Sequence, residues 1–173
     1  MSRPDQIRLA DPIAPKNAFG SIALIGFIVS FVGCGAIVGY VFGPDPWYSA
    51  LLKPTWHPPS WIFGPVWTIL YITMAIALWL VLRERSVDQG LRARAIWLFG
   101  IQFSLNLLWT PIFFGFHQPF LAFIEICLLW IFLLGTLLSF GKIQALAGYL
   151  LAPYLIWCTF ALVLNGTLWL MNA

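Results

Sequence analysis

Trp61–Leu82 reads WIFGPVWTILYITMAIALWLVL, 22 residues without one Asp, Glu, Lys or Arg. As a helix rising 1.5 Å per residue it would be about 33 Å long. A bilayer's hydrocarbon core is about 30 Å thick and takes about 20 such residues to cross. No polar face interrupts the run, so it reads as a transmembrane helix and not as one side of a soluble bundle.

The same reading extends in both directions. The predicted spans are Phe19–Phe42, Trp61–Leu82, Arg94–Gly115, Pro119–Phe140 and Gln144–Met171. The expected fold is an all-α integral membrane protein, a bundle of five transmembrane helices. Of the 173 residues 61% are hydrophobic and only 9% charged, where a soluble domain carries roughly 25% charge. The charges cluster in Arg3–Lys16, at Asp45 and Lys53, and in Arg83–Arg94, with Glu125 and Lys142 beyond. A β-barrel would show short alternating segments instead. The first span is too long for a signal-peptide core, and a stretch with prolines and acids precedes it. That stretch, residues 1–17, is expected to be a disordered cytoplasmic tail ahead of one membrane domain, 18–173.

Orientation follows from the basic residues. Five spans place Arg3, Arg8, Lys16, Arg83, Arg85, Arg92, Arg94 and Lys142 on one side and Lys53 alone on the other. The positive-inside rule then predicts a cytoplasmic N-terminus and an external C-terminus. The net charge of +3 therefore describes topology. No basic–aromatic patch, phosphate loop or zinc spacing points to nucleic acid, a nucleotide or a metal. Cys34, Cys127 and Cys158 fall within spans and are expected to be buried, inert thiols.

The connection Gly43–Ser60 is unusual. Pro44, Pro46, Pro54, Pro58 and Pro59 alternate with Trp47, Tyr48 and Trp56. The prolines are expected to exclude helix there, and the aromatics give the segment something to bury. It reads as a packed lid on the outer face, with an interfacial aromatic belt as the alternative. Gly35, Gly39 and Gly43, and likewise Gly100 and Ser104, are spaced by four and suggest close helix contacts within the bundle or between subunits. Pro65, Pro111 and Pro153 are expected to kink their helices.

Polar residues in a span are costly and tend to face the protein interior. Gln102, Asn106 and Trp109 share one helical face, Tyr154, Trp157, Ala161 and Asn165 another, and Trp67, Tyr71 and Met74 a third. Three faces of aromatics with a few amides and hydroxyls suit a flat, largely apolar ligand; they would equally serve to tie helices together. Glu125 is a single mid-span acid, read either as a protonated, hydrogen-bonded group or as a functional one. His57 and His117 have no metal-ligand spacing, and no nucleophile–base pair can be assembled. No cofactor is expected.

At this point a resemblance enters. Trp47-Tyr48, Lys53-Pro54-Thr55-Trp56-His57-Pro58-Pro59-Ser60-Trp61, Gly64-Pro65-Val66-Trp67, the run NLLWTPIFFG at 106–115, Pro153-Tyr154-Leu155-Ile156-Trp157 and Leu164-Asn165 resemble the TspO/MBR family of tryptophan-rich sensory and translocator proteins. These segments fall in order across the chain after Phe19. The resemblance implies five membrane helices, a homodimer in a membrane such as a bacterial cell membrane, and a ligand cavity beneath the first loop. It implies binding of porphyrins such as protoporphyrin IX and of isoquinoline carboxamide or benzodiazepine ligands. The site residues it carries over are Tyr48, Trp56, Trp67, Gln102, Asn106, Trp157, Ala161 and Asn165. The family's proposed cholesterol motif is not matched, since Gly166 stands in the Tyr position and no Lys or Arg follows Asn165.

Three functions are thereby weighed: porphyrin sensing or regulation, light- and oxygen-dependent porphyrin degradation, and transport of a porphyrin or lipid. Transport has the least support, for the chain lacks paired broken helices and an inverted repeat.

Overall fold

A computed structural model describes residues 16–84 and 86–173; most of the expected tail, 1–15, and Arg85 lie outside them. Six α-helices follow in order: α1 Lys16–Val41, α2 Pro46–Ala50, α3 Phe63–Arg83, α4 Gln89–Thr110, α5 Pro119–Ile143 and α6 Ala145–Met171. A 3-10 turn, Ser60–Ile62, leads into α3, and a π-helical turn, Pro111–Gly115, continues α4. The described residues contain no strand. All but α2 are long and apolar enough to cross a bilayer, and the protein is an integral membrane protein of five spanning helices.

The helices outrun the apolar segments where capping allows it. α4 starts at Gln89 instead of Arg94 because the Asp88 carboxylate accepts the Leu91 N–H at 2.9 Å, satisfying a donor the helix start leaves free. Its first turn is consequently polar. The expectation that prolines exclude helix from the first loop is corrected by α2. Pro46 occupies the first helical position, where a missing N–H costs nothing, and Asp45 caps the turn by accepting the Tyr48 N–H at 3.0 Å.

The spanning helices form a ring in which α1 meets α3, α3 meets α6, α6 meets α5, α5 meets α4, and α4 returns to α1. Away from the first loop the interior is filled by Val81, Ala95, Phe99, Leu133, Phe140, Ala147 and Leu151, all nearly inaccessible. Phe99 and Phe140 lie almost parallel, with centroids 5.7 Å apart. Here α5 and α6 touch backbone to backbone: a Cβ on Gly148 would sit 2.8 Å from the Gly141 Cα.

The glycine stripe of α1 behaves differently. A Cβ at Gly35 would run into the Tyr71 ring, whereas Gly39 and Gly100 face nothing within 4 Å. The cysteines are all free, but only Cys158 is buried; Cys127 is half-buried and Cys34 exposed. Cys34 departs from expectation because a helix on the rim of the ring presents most of its faces outward.

Candidate ligand-binding cavity

Toward the first loop the ring of helices opens into a cavity of about 460 Å³. A hydrogen-bonded bridge across three helices runs beside it. Tyr71 Oη on α3 donates to Asn106 Oδ1 on α4 at 2.8 Å, and Asn106 Nδ2 donates to Tyr154 Oη on α6 at 2.8 Å. Nearer the loop, Trp109 Nε1 donates to Asn165 Oδ1 at 3.0 Å, and Asn165 Nδ2 donates to the Pro119 carbonyl at 2.9 Å. That second bridge levels α4 and α6 with the start of α5. Both amides line the cavity while their polar atoms hold helices together, so wall and tie are the same residues.

The remaining wall is aromatic. Trp67 stands edge-on to Tyr154, centroids 6.0 Å apart, and Trp157 edge-on to Phe63 at 5.8 Å. Trp109 stacks on Phe113 at 4.9 Å. The Trp157 indole nitrogen is buried and has no hydrogen-bond partner, which leaves one donor of the wall unused.

The roof is α2 and the segment after it. Tyr48 lines the cavity, and its hydroxyl meets His57 Nε2 at 2.6 Å. Burial pushes the Tyr48 phenol above its ordinary pKa. Burial, then the charge of Lys53, hold His57 below the ordinary imidazole value, which suits a neutral ring accepting the Tyr48 proton. Lys53 Nζ donates to the carbonyls of Tyr48, Ser49 and Leu51 and lies 4.6 Å from the Tyr48 ring centroid. At the rim Asp45 Oδ2 pairs with His117 Nε2 at 2.9 Å. Trp47 stacks on the His117 ring at 4.3 Å. The Tyr48 N–H foremost, with His117 assisting, keeps the Asp45 carboxyl below its usual range. His117 takes a left-handed backbone, φ 54°, a strained choice for a residue with a Cβ. Across the rim, Asn172 Oδ1 accepts the Leu52 N–H and Asn172 Nδ2 donates to the Leu52 carbonyl, at 2.9 and 3.0 Å.

Of the residues named from sequence, Tyr48, Trp67, Asn106, Trp157, Ala161 and Asn165 stand on the cavity wall, and Trp56 and Gln102 do not. Trp56 is 45% exposed and lies edge-on to Phe160, in a shallow groove with Ile156, Thr159 and Val163. Its loop crosses the rim, so its ring falls outside α6. Gln102 is wholly buried one turn deeper than Asn106, its Nε2 4.0 Å from the Met74 sulfur. Sequence reading missed Phe113, Phe63, Gly35 and Cys158 as wall residues. Phe113 had a signal, for it stands four residues after Trp109 and so on the same face.

Stacking surfaces and a few fixed donors make this the candidate binding site. Among the described residues no three His, Cys, Asp or Glu come together to hold a metal.

Residues 25–170 match the model of the TspO/MBR family. The chain is 43% identical over 141 residues to the tryptophan-rich protein TspO of Chlorobaculum tepidum, covering 78% of this chain and 86% of that one. It is 36% identical over 153 residues to protein CrtK of Rhodobacter capsulatus, covering 87% and 95%. To the human translocator protein it is 35% identical over 156 residues, covering 87% and 90%.

Proposed function

The chain belongs to the TspO/MBR family, and from that premise we propose that it binds a porphyrin such as protoporphyrin IX in the cavity beneath α2. Isoquinoline carboxamide and benzodiazepine ligands would share the site, and the role is sensory or regulatory. The observation that carries this reading is the buried, unpartnered Trp157 N–H on a wall built largely of aromatic rings. A donor left unmatched inside a site is worth most to a ligand that brings an acceptor. Tyr48 and Trp47 close the cavity as its lid, held by Asp45–His117 and Leu52–Asn172. On the same reading the protein is a homodimer in a bacterial cell membrane with its N-terminus cytoplasmic. The orientation rests on the partition of basic residues.

Titrating the purified protein in lipid nanodiscs with protoporphyrin IX, followed by quenching of tryptophan fluorescence, tests the binding reading. Saturable binding is expected, and Trp157→Phe should weaken it roughly three- to tenfold, the scale of one lost hydrogen bond. Unchanged affinity in a folded Trp157→Phe protein would remove the basis of the reading.

A second reading has its own support. Trp67, Trp109 and Trp157 all line the cavity, placing three oxidisable indoles around any bound tetrapyrrole. Illumination of the complex with and without oxygen should then bleach the porphyrin only when oxygen is present. Equal bleaching of porphyrin by protein lacking these indoles would dismiss it.

A further inference from the structure

The bridge that levels α4, α5 and α6 also fixes what stands side by side deeper in the bundle. Trp109, Asn165 and Pro119 are joined by hydrogen bonds and so share one height. Gln102 and Cys158 lie seven residues, and Glu125 six, farther from the loop end along their own helices. At 1.5 Å per residue all three are about 9–10 Å below the bridge. Cys158 lines the cavity there, as do Ile126 and Leu129, which lie next to Glu125 in sequence and one turn on. Cys158 is also within electrostatic reach of Glu125.

Glu125 is 6% exposed, and both its carboxyl oxygens are buried without a hydrogen-bond partner. Gln102 Oε1 is in the same condition. Neither residue is on the cavity wall, so three oxygen acceptors lie unpartnered at one depth behind it. An ionised carboxylate cannot persist there unpaired, because removing its charge from water costs far more than taking up a proton. α6 carries no Lys, Arg or His at all, and the basic residues of α4 and α5 are Arg92, Arg94 and Lys142, near the opposite end. The titratable groups facing this region are the Cys158 thiol and the Tyr154 and Tyr71 hydroxyls, all uncharged.

We propose that Glu125 is a neutral carboxylic acid which, with Gln102, forms a second polar subsite behind the Cys158, Ile126 and Leu129 stretch of the cavity wall, for the carboxyl or amide end of a ligand that passes between those side chains. A protonated carboxyl offers O–H beside C=O, and only a partner presenting donor and acceptor together matches both. The aromatic wall holds the flat body of the ligand, and Glu125 reads its leading end past Cys158. The ligand class rests on the porphyrin reading above; the acid does not.

Infrared spectroscopy tests the acid without any ligand. Wild type at neutral pH should show the C=O stretch of a protonated carboxyl, and Glu125→Gln should lose it. Dicyclohexylcarbodiimide, a lipid-soluble reagent for protonated carboxyls, should label Glu125, located by mass spectrometry. Protoporphyrin IX, with free carboxyls, should slow that labelling severalfold, and its dimethyl ester should not. Glu125→Leu should weaken protoporphyrin IX roughly three- to tenfold and leave the ester unchanged, with Glu125→Gln restoring most of the loss. No carbonyl difference between wild type and Glu125→Gln, or equal protection by acid and ester, would overturn the proposal. A protein that binds neither porphyrin would overturn the porphyrin reading and the ligand class with it, while the band and the labelling still decide the acid.

Discussion

The two ends of the bundle are built from the same five helices and solve opposite packing problems. At the far end, residues of unlike size interlock: Ala95 and Ala147 sit among Phe99, Phe140 and Leu133, and Gly141 meets Gly148. Association there rests on close van der Waals contact, since lipid is as apolar as the helices themselves. At the loop end large flat rings alternate with small residues such as Gly35, Ala36, Gly39 and Ala161. Trp67 stands edge-on to Tyr154 and Trp157 edge-on to Phe63, Trp109 stacks on Phe113, and the small residues between these rings leave the space unfilled. The helices are tied there by amide and hydroxyl bridges. Whether large and small side chains interlock decides whether a membrane bundle closes or opens, and this chain does each once.

The largest expected effect probes the closed end. Gly148→Leu must push α6 off the Gly141 backbone, a rigid neighbour, at a cost of about 1–3 kcal/mol or more. The yield of folded protein and its melting temperature should both fall sharply. Next is Ala161→Phe, which fills the open end from its wall. Protoporphyrin IX affinity should drop by at least an order of magnitude, with the melting temperature held or raised as the void is occupied. If Ala161→Phe destabilises as much as Gly148→Leu does, the two ends do not differ as described.

A middle-sized effect belongs to Asn106→Ala. It removes two interhelical hydrogen bonds, from Tyr71 and to Tyr154, each worth about 0.6 kcal/mol on average in membrane proteins. The apo melting temperature should fall modestly, with affinity also reduced because the bridge shapes the cavity. A change in only one of the two would separate wall from tie.

The smallest effect concerns the roof. Asp45 is held below its usual pKa, so its contribution is complete above the ordinary carboxylate value and is lost as pH falls through the depressed one. His57 is likewise depressed, so its neutral ring goes on accepting the Tyr48 proton below the ordinary imidazole value and loses that role as pH falls through the lowered one. Hydrogen exchange across residues 46–60 should therefore be faster, after correction for intrinsic rates, at about pH 2 than at neutrality. The far end should not respond. Equal protection of the roof at both pH values would show that these groups do not hold it.

The spans were legible because a charge-free run of some 20 residues has few alternatives in a chain this apolar. Helix ends were less so: Asp88 moves the start of α4 outward by a side-chain cap that hydropathy does not register. α2 was missed because Pro46 was read as a breaker when its position made it a starter. Helical periodicity gathered Asn106, Trp157, Ala161 and Asn165 onto one cavity wall, since a face survives folding. Trp56 sits in a loop whose course depends on docking, and it falls outside α6. Gln102 shares the face of Asn106 but lies one turn deeper, against the Met74 sulfur. Gly35 looked like a helix contact, and it makes one by giving room to the Tyr71 ring of α3.

The central claim is that the open end is the ligand site. The direct test is the crystal structure of the protein soaked with an iodinated isoquinoline carboxamide, with the iodine located by its anomalous signal. The expected peak lies inside the bundle, among Trp67, Asn106 and Trp157 and below Tyr48. A single peak in the outer groove beside Trp56 and Phe160, with the cavity empty, would contradict the account.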